Sequence, residues 1–165
     1  MSELRTNRII PRDGLVSGAS GGVIQVVFSS LATGSTVTVN GTTLVDVLTA
    51  TITPTRSDSK ILVQVTSAPK TNGGSANFQF GAQIQRNSTT IMYDNEYLQM
   101  NNGYAPNAFT GAYTVLDSPA STSALTYKFR CSRSVSGREL YFENSTDNTG
   151  NYYNKHTMTL MEVSA

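Results

Sequence analysis

The sequence predicts an all-β protein: a jelly-roll-like antiparallel β-sandwich knob preceded by an extended N-terminal arm. Three observations carry that expectation. Beyond Gly22 the apolar residues recur with period two, the spacing of strands that bury one face. Turn-forming dipeptides separate the runs. No segment carries apolar residues at the 3.6-residue spacing of an amphipathic helix. Short strands at this density suit a sandwich or barrel of about eight to ten strands. The 165 residues fit one such domain, which can bury roughly two-thirds of its unfolded surface. Residues 1–22 read as arm and glycine-rich link, and residues 23–165 as the knob.

The arm comes first. "SELRTNRIIPRDGLVSGASGG" is polar and glycine-studded, with three arginines and no apolar run able to make a core. Such a segment gains order only by docking on another surface. Leu4, Ile9 and Ile10 would supply apolar anchors, Arg5, Arg8 and Arg12 polar ones. Gly18, Gly21 and Gly22 would let the knob swivel. "SGASGG" lacks the lysine and following helix of a phosphate loop.

The strands follow in order. In "GVIQVVF", Ile24, Val26 and Phe28 share a face that period two marks as the buried one. In "KILVQVTS", Ile61, Val63 and Val65 do the same. "NFQFGAQIQ" sets Phe78, Phe80, Ala82 and Ile84 against Gln79, Gly81, Gln83 and Gln85. "ALTYKFRCS" turns Leu125, Tyr127, Phe129 and Cys131 inward and Lys128, Arg130 and Ser132 outward. "STVTVN", "VLTATIT", "TIMYDN", "AYTVLDS", "RELYF" and "HTMTLMEV" supply further strands. Asn40-Gly41 is a strong hairpin dipeptide, and Asn87-Ser88 fits a hairpin between Ile84 and Ile91. Thr53-Pro54 and Ser118-Pro119 end strands, because proline removes a ladder donor. Two segments resist strand assignment: Asp94 to Phe109 and Glu143 to His156, both rich in Asn and Tyr. Loops of that length in a compact domain are functional or disordered.

Composition narrows the function classes. The 12 basic and 11 acidic residues are scattered and sum to +1, which excludes a strongly basic nucleic-acid footprint. Charged residues are only 14 % of the chain, against about 25 % in a typical domain, and Ser, Thr and Asn make up about a third. A polar but weakly charged surface suits contact between identical copies, since around a symmetry axis each charge meets its own sign. It also suits an extracellular β protein solubilised by hydroxyls. The start lacks the apolar run of a secretory signal, and no stretch approaches the length of a membrane span, so the expected place of synthesis is a cytosol, with no membrane insertion.

Catalytic groups are scarce. His156 is the single histidine, which rules out a multi-histidine metal site; placed just before a strand, it reads as a surface residue. No Gly-x-Ser-x-Gly elbow supports a nucleophilic serine. Cys131, the single cysteine, allows no intrachain disulfide and alternates with Tyr127 and Phe129 as a small core residue. Asp94 and Glu96 lie in an expected turn rather than across a cleft. The expectation is a non-enzymatic protein without cofactor or metal.

Read again, the arm is informative. "MSELRTNRIIPRDGLVSGASGGVIQVV" resembles the start of short tail-fibre and virion structural proteins of tailed bacteriophages, of the marine, cyanophage type. "TATITPTRSDSKILVQV", "LDSPASTSALTYKFR" and "TMTLMEVSA" are similar to later elements of the same group, and the order of the pieces is the signal. The resemblance covers most of the chain and is weakest from about Asn72 to Phe109. It implies a phage particle component, a homotrimer located in the virion after synthesis in the host bacterial cytoplasm, with no catalytic residues to carry over. The arm would dock on another phage tail or capsid protein.

On this reading the protein is a tail fibre or fibre-tip knob that contributes to host attachment. Tyr offers flat amphipathic contact area and Asn paired hydrogen bonds, a combination that suits a host cell-surface glycan. The receptor-binding candidates are Tyr97, Asn101, Asn102 and Tyr104 from the first long segment, with Asn151, Tyr152 and Tyr153 from the second. The alternative is a capsid or tail decoration protein with a purely structural role.

Overall fold

The computed structural model describes residues 22–71, 78–100, 110–133, 139–144 and 156–164; for 78–79 and 95–100 the account is of the backbone. Among the described residues there is no helix, and eleven strands form. Eight build a sandwich. One sheet takes the order β1 (Val23–Ser30), β11 (Thr157–Val163), β4 (Lys60–Ser67), β8 (Gly111–Asp117). The other takes β3 (Val45–Ile52), β9 (Leu125–Arg133), β6 (Phe78–Arg86), β7 (Thr89–Met100). Three short strands, β2 (Thr36–Val39), β10 (Leu140–Glu143) and β5 (Lys70–Thr71), make a small third sheet.

All pairings are antiparallel, and four of them nest. β1 pairs β11, β3 pairs β9, β4 pairs β8 and β6 pairs β7, the outermost strands of the chain together and each next pair inside the last. A long hairpin rolled on itself gives this nesting, which is the jelly roll. The expected all-β antiparallel sandwich is therefore the observed one, and the arm expected before it lies, up to residue 21, outside the described residues.

The inward positions follow the period-two reading closely. Ile61, Val63 and Val65 on β4, Phe80, Ala82 and Ile84 on β6, and Leu125, Tyr127, Phe129 and Cys131 on β9 are all buried. Met158 and Leu160 of β11 join them, and Tyr113 of β8 meets Phe129 across the interior with ring centroids 5.7 Å apart. Val39, Leu140 and Phe142 of the small sheet close one end. Cys131 is the small core residue expected, and burial pushes its thiol pKa up. β3 stops at Ile52 and β8 at Asp117, just before Thr53-Pro54 and Ser118-Pro119. Asn87 takes positive φ (49°) in the two-residue turn from β6 to β7, with its side chain accepting from Thr126 N at 3.0 Å.

Four expectations need correction. Val26 and Phe28 do share a face, but it is the outer one, 56 % and 60 % exposed; the inward positions of β1 are Gln25, Val27 and Ser29. A bulge between Val23 and Gln25 takes Ile24 out of the alternation. Asn40-Gly41 does not join a hairpin: β2 pairs β10 while β3 pairs β9, so the dipeptide carries the chain from one sheet to another. Its carbonyls instead accept from Arg133, the Gly41 oxygen from the backbone N at 2.9 Å and the Asn40 oxygen from the guanidinium. Strand β7 runs on to Met100, through the first half of the segment expected as a loop, because Gln79 and Phe80 of β6 pair with Gln99 and Leu98. Between Asp94 and Leu98 β7 carries two residues more than β6 does opposite, an irregularity that strand pairing tolerates and local propensity does not announce. Gly22 is no swivel, since it exchanges hydrogen bonds with Ser164 on the last strand's extension.

Candidate functional site

The strand directions place the described residues that border the leading segment and those that border the internal segments at two opposite ends. Gln25 Nε2 donates to Thr53 O (2.7 Å) and Ser29 Oγ to Thr49 O (2.8 Å), so the far end of β1 lies beside the start of β3. Ser30, Thr157, Ser67 and Gly111 mark that end on one sheet through their register, and Val45, Arg133 and Phe80 mark it on the other. The chain passes from described residues into the internal segments at Thr71, Met100, Arg133 and Asn144, all at this end, and Thr110, Glu139 and His156 bring it back there. Gly22, where the leading segment joins, sits at the opposite end beside Ser164. Eight residues of strand separate the two ends by roughly 25 Å.

The end where the internal segments join is capped by buried polar anchors. Asn144 donates through Nδ2 to Leu31 O (2.6 Å) and through its backbone N to Ser35 O (3.1 Å). Its own carbonyl accepts from Gly34 N at 2.6 Å, in a turn where Gly34 holds φ at 77°. His156 is 1 % exposed, which corrects the surface reading. Its Nδ1 lies 2.8 Å from Ser67 Oγ, its ring stands edge-on to Phe142 at 5.4 Å, and its carbonyl accepts from Leu31 N. The physical reason was present in the sequence: His156 has the same parity as Met158, Leu160 and Glu162, the inward residues of β11. It caps this end of the core, and among the described residues no cluster of three metal-ligating side chains exists.

The arm end is tied by two carboxylates that face inward. Glu162 is fully buried and accepts from Gln25 Nε2 (2.6 Å), Thr55 N (2.8 Å), Thr55 Oγ1 (2.9 Å) and Arg56 N (3.3 Å). Burial alone would raise its pKa, but the Gln25 amide, the nearby Ser59 and Thr55 outweigh it and hold the carboxyl below the ordinary range. Asp117 accepts two bonds from Arg86 Nη1 (2.7 and 2.6 Å) and one from the Tyr127 hydroxyl (2.7 Å), joining the two sheets. Burial, with Asp117 beside it, pushes the Tyr127 phenol well up.

The outer faces differ. On the β3 sheet Asp46 accepts from Lys128 Nζ and Arg130 Nε, both at 2.6 Å, and Arg130 reaches on to Gln83 and Gln85. Burial would raise the Asp46 pKa; the two cations more than offset that and lower it. On the β1 sheet the register sets Val26 beside Met161, Met161 beside Leu62, and Leu62 beside Leu116, an apolar row across all four strands. The next row is Phe28, Thr159, Gln64 and Thr114. The sequence signal that could have found this face is a run of adjacent apolar residues, Val26-Val27-Phe28, Ile61-Leu62-Val63 and Leu160-Met161, which marks strands apolar on both sides.

Of the receptor-binding candidates, Tyr97 lies within β7 rather than in a loop, and Asn101, Asn102, Tyr104, Asn151, Tyr152 and Tyr153 lie outside the described residues. The attachment candidates Leu4, Arg5, Arg8, Ile9, Ile10 and Arg12 lie outside them too. No described helix is long and apolar enough to cross a membrane. No family model matches the chain, and no curated protein matches it either.

Proposed function

We propose that this chain is a bacteriophage virion structural protein, a tail fibre or fibre-tip knob held to the particle by its leading segment and contributing to host-surface adhesion. The observation that carries the reading is the separation of ends. Gly22 joins the sandwich at one end, while the strands flanking the Asn- and Tyr-rich segments open at the other. A molecule anchored through residues 1–21 would thus present Asn101, Asn102, Tyr104, Asn151, Tyr152 and Tyr153 away from its anchor. The buried, hydrogen-bonded cap of Asn144 and His156, the described residues on either side of the second segment, suits a binding surface built on a firm base.

Two measurements test it. Purified protein is expected to adsorb to host cells and block infection, and Tyr104→Ala or Tyr152→Ala to weaken both; adsorption unchanged in the two variants would remove the loop assignment. A chain lacking residues 1–21 is expected to stay out of the particle. Labelled particles carrying the protein at the tail support the fibre reading, and a coat of hundreds of copies over the capsid would replace it with decoration.

A further inference from the structure

We propose that the outer face of the β1 sheet is where copies of this chain pack on one another. Four lines of observation converge on it. Val26, Phe28 and Leu116 are each more than half exposed, and they fall on two adjacent rows spanning the full width of the sheet. Val26, Phe28 and Leu116, with Met161 and Leu62 between them in the register, therefore form one patch, whereas Tyr93 is the single large exposed hydrophobic described on the other sheet; a contiguous patch of this kind marks an interaction surface.

Charge then selects the occupant. The only charged side chain that alternation turns outward on these four strands is Lys60, at a corner; Glu162 and Asp117 are turned inward and bonded there. A face whose one charge sits at a corner offers little to steer a partner of opposite sign, and its centre meets a copy of itself without like-charge repulsion. The chain's own leading segment fits poorly, because Arg5, Arg8 and Arg12 would find no carboxylate on this face.

The dimensions are adequate. Four strands about 4.8 Å apart and seven residues at about 3.3 Å make a rectangle of roughly 450 Å², a footprint that suits a small, concentration-dependent interface rather than the ~800 Å² per partner of a standard one. The other sheet supplies the control. Its outer face carries Asp46, Lys128 and Arg130 already paired with one another, the ordinary condition of a solvated surface. This inference does not rest on the virion reading and stands or falls separately.

Sedimentation of the full chain over a range of concentrations tests it. A mass that is a whole-number multiple of the chain is expected, with association weakened at least about tenfold by Gln64→Glu, a near-isosteric change at the centre of the face, and further by Phe28→Glu. Thr49→Glu on the other sheet is expected to leave association unchanged. A monomer at every concentration overturns the proposal without recourse to any variant. So does an oligomer that ignores both Gln64→Glu and Phe28→Glu while the circular dichroism of the variants stays native.

Discussion

On the β3 sheet, the row from Asp46 through Arg130 to Gln83 is a chain of an ion pair and an amide hydrogen bond, and the Gln83 amide goes on to Thr90 of β7. On the β1 sheet, the row from Val26 through Met161 and Leu62 to Leu116 has no polar group at all. Both sheets contribute alternate residues to one interior, and both complete their ladders antiparallel. The jelly roll therefore does not ask for this difference. Inner faces are constrained by packing within the copy, while outer faces are free to record what lies outside. One records solvent, and the other records an apolar surface like itself.

The comparison can be broken most severely at the shared interior. Phe129, buried between the sheets and against Tyr113, is expected to cost about 3–5 kcal/mol when replaced by Ala, read by denaturant unfolding with both sheets melting together. Separate transitions for the two sheets would show that they do not form one cooperative core. The next effect belongs to the inward carboxylate of the apolar-faced sheet. Glu162→Gln leaves four donors facing a weaker acceptor and is expected to cost about 2 kcal/mol. Because the folded carboxyl titrates below its unfolded value of about 4.3, its contribution is complete above that pH and lost as pH falls through the lower folded value. Stability should therefore decline on acidification in the parent and decline less in Glu162→Gln. The smallest effect is expected on the charged face. Asp46→Asn loosens pairs whose side chains are about a third exposed, and a change under about 1 kcal/mol in unfolding should follow, with no change in association. A larger loss there would mean that the paired face also carries stability.

Much of this molecule was legible in its residues. Leu125, Tyr127, Phe129 and Cys131 alternate with charged or hydroxyl neighbours, and a strand so patterned has one face it can bury. Asn87 tolerates the positive φ of a two-residue turn, and proline stops β3 and β8. The misreadings share a cause. Val26 and Phe28 could be assigned to a common face but not to the inner one, because β1 is apolar at three consecutive positions and only the bond from Gln25 to Glu162 decides which side turns in. Asn40-Gly41 is a sound hairpin signal that lost to partners elsewhere in the chain. His156 followed the parity of β11, against the usual exposure of a lone polar residue.

What the sequence determined by itself was local: strand periodicity, turn positions, and a weakly charged surface. These depend on neighbours within a few residues, whose geometry the backbone dictates. Only the tertiary structure decided which strands pair, which face of β1 is inside, that Glu162 and Asp117 turn inward, and that Gly22 and the described residues bordering the Asn- and Tyr-rich segments lie at opposite ends. Those outcomes rest on contacts between different strands, from Arg86 with Asp117 to Gln25 with Glu162 and Leu31 with Asn144, the last two more than a hundred positions apart, which no local pattern encodes.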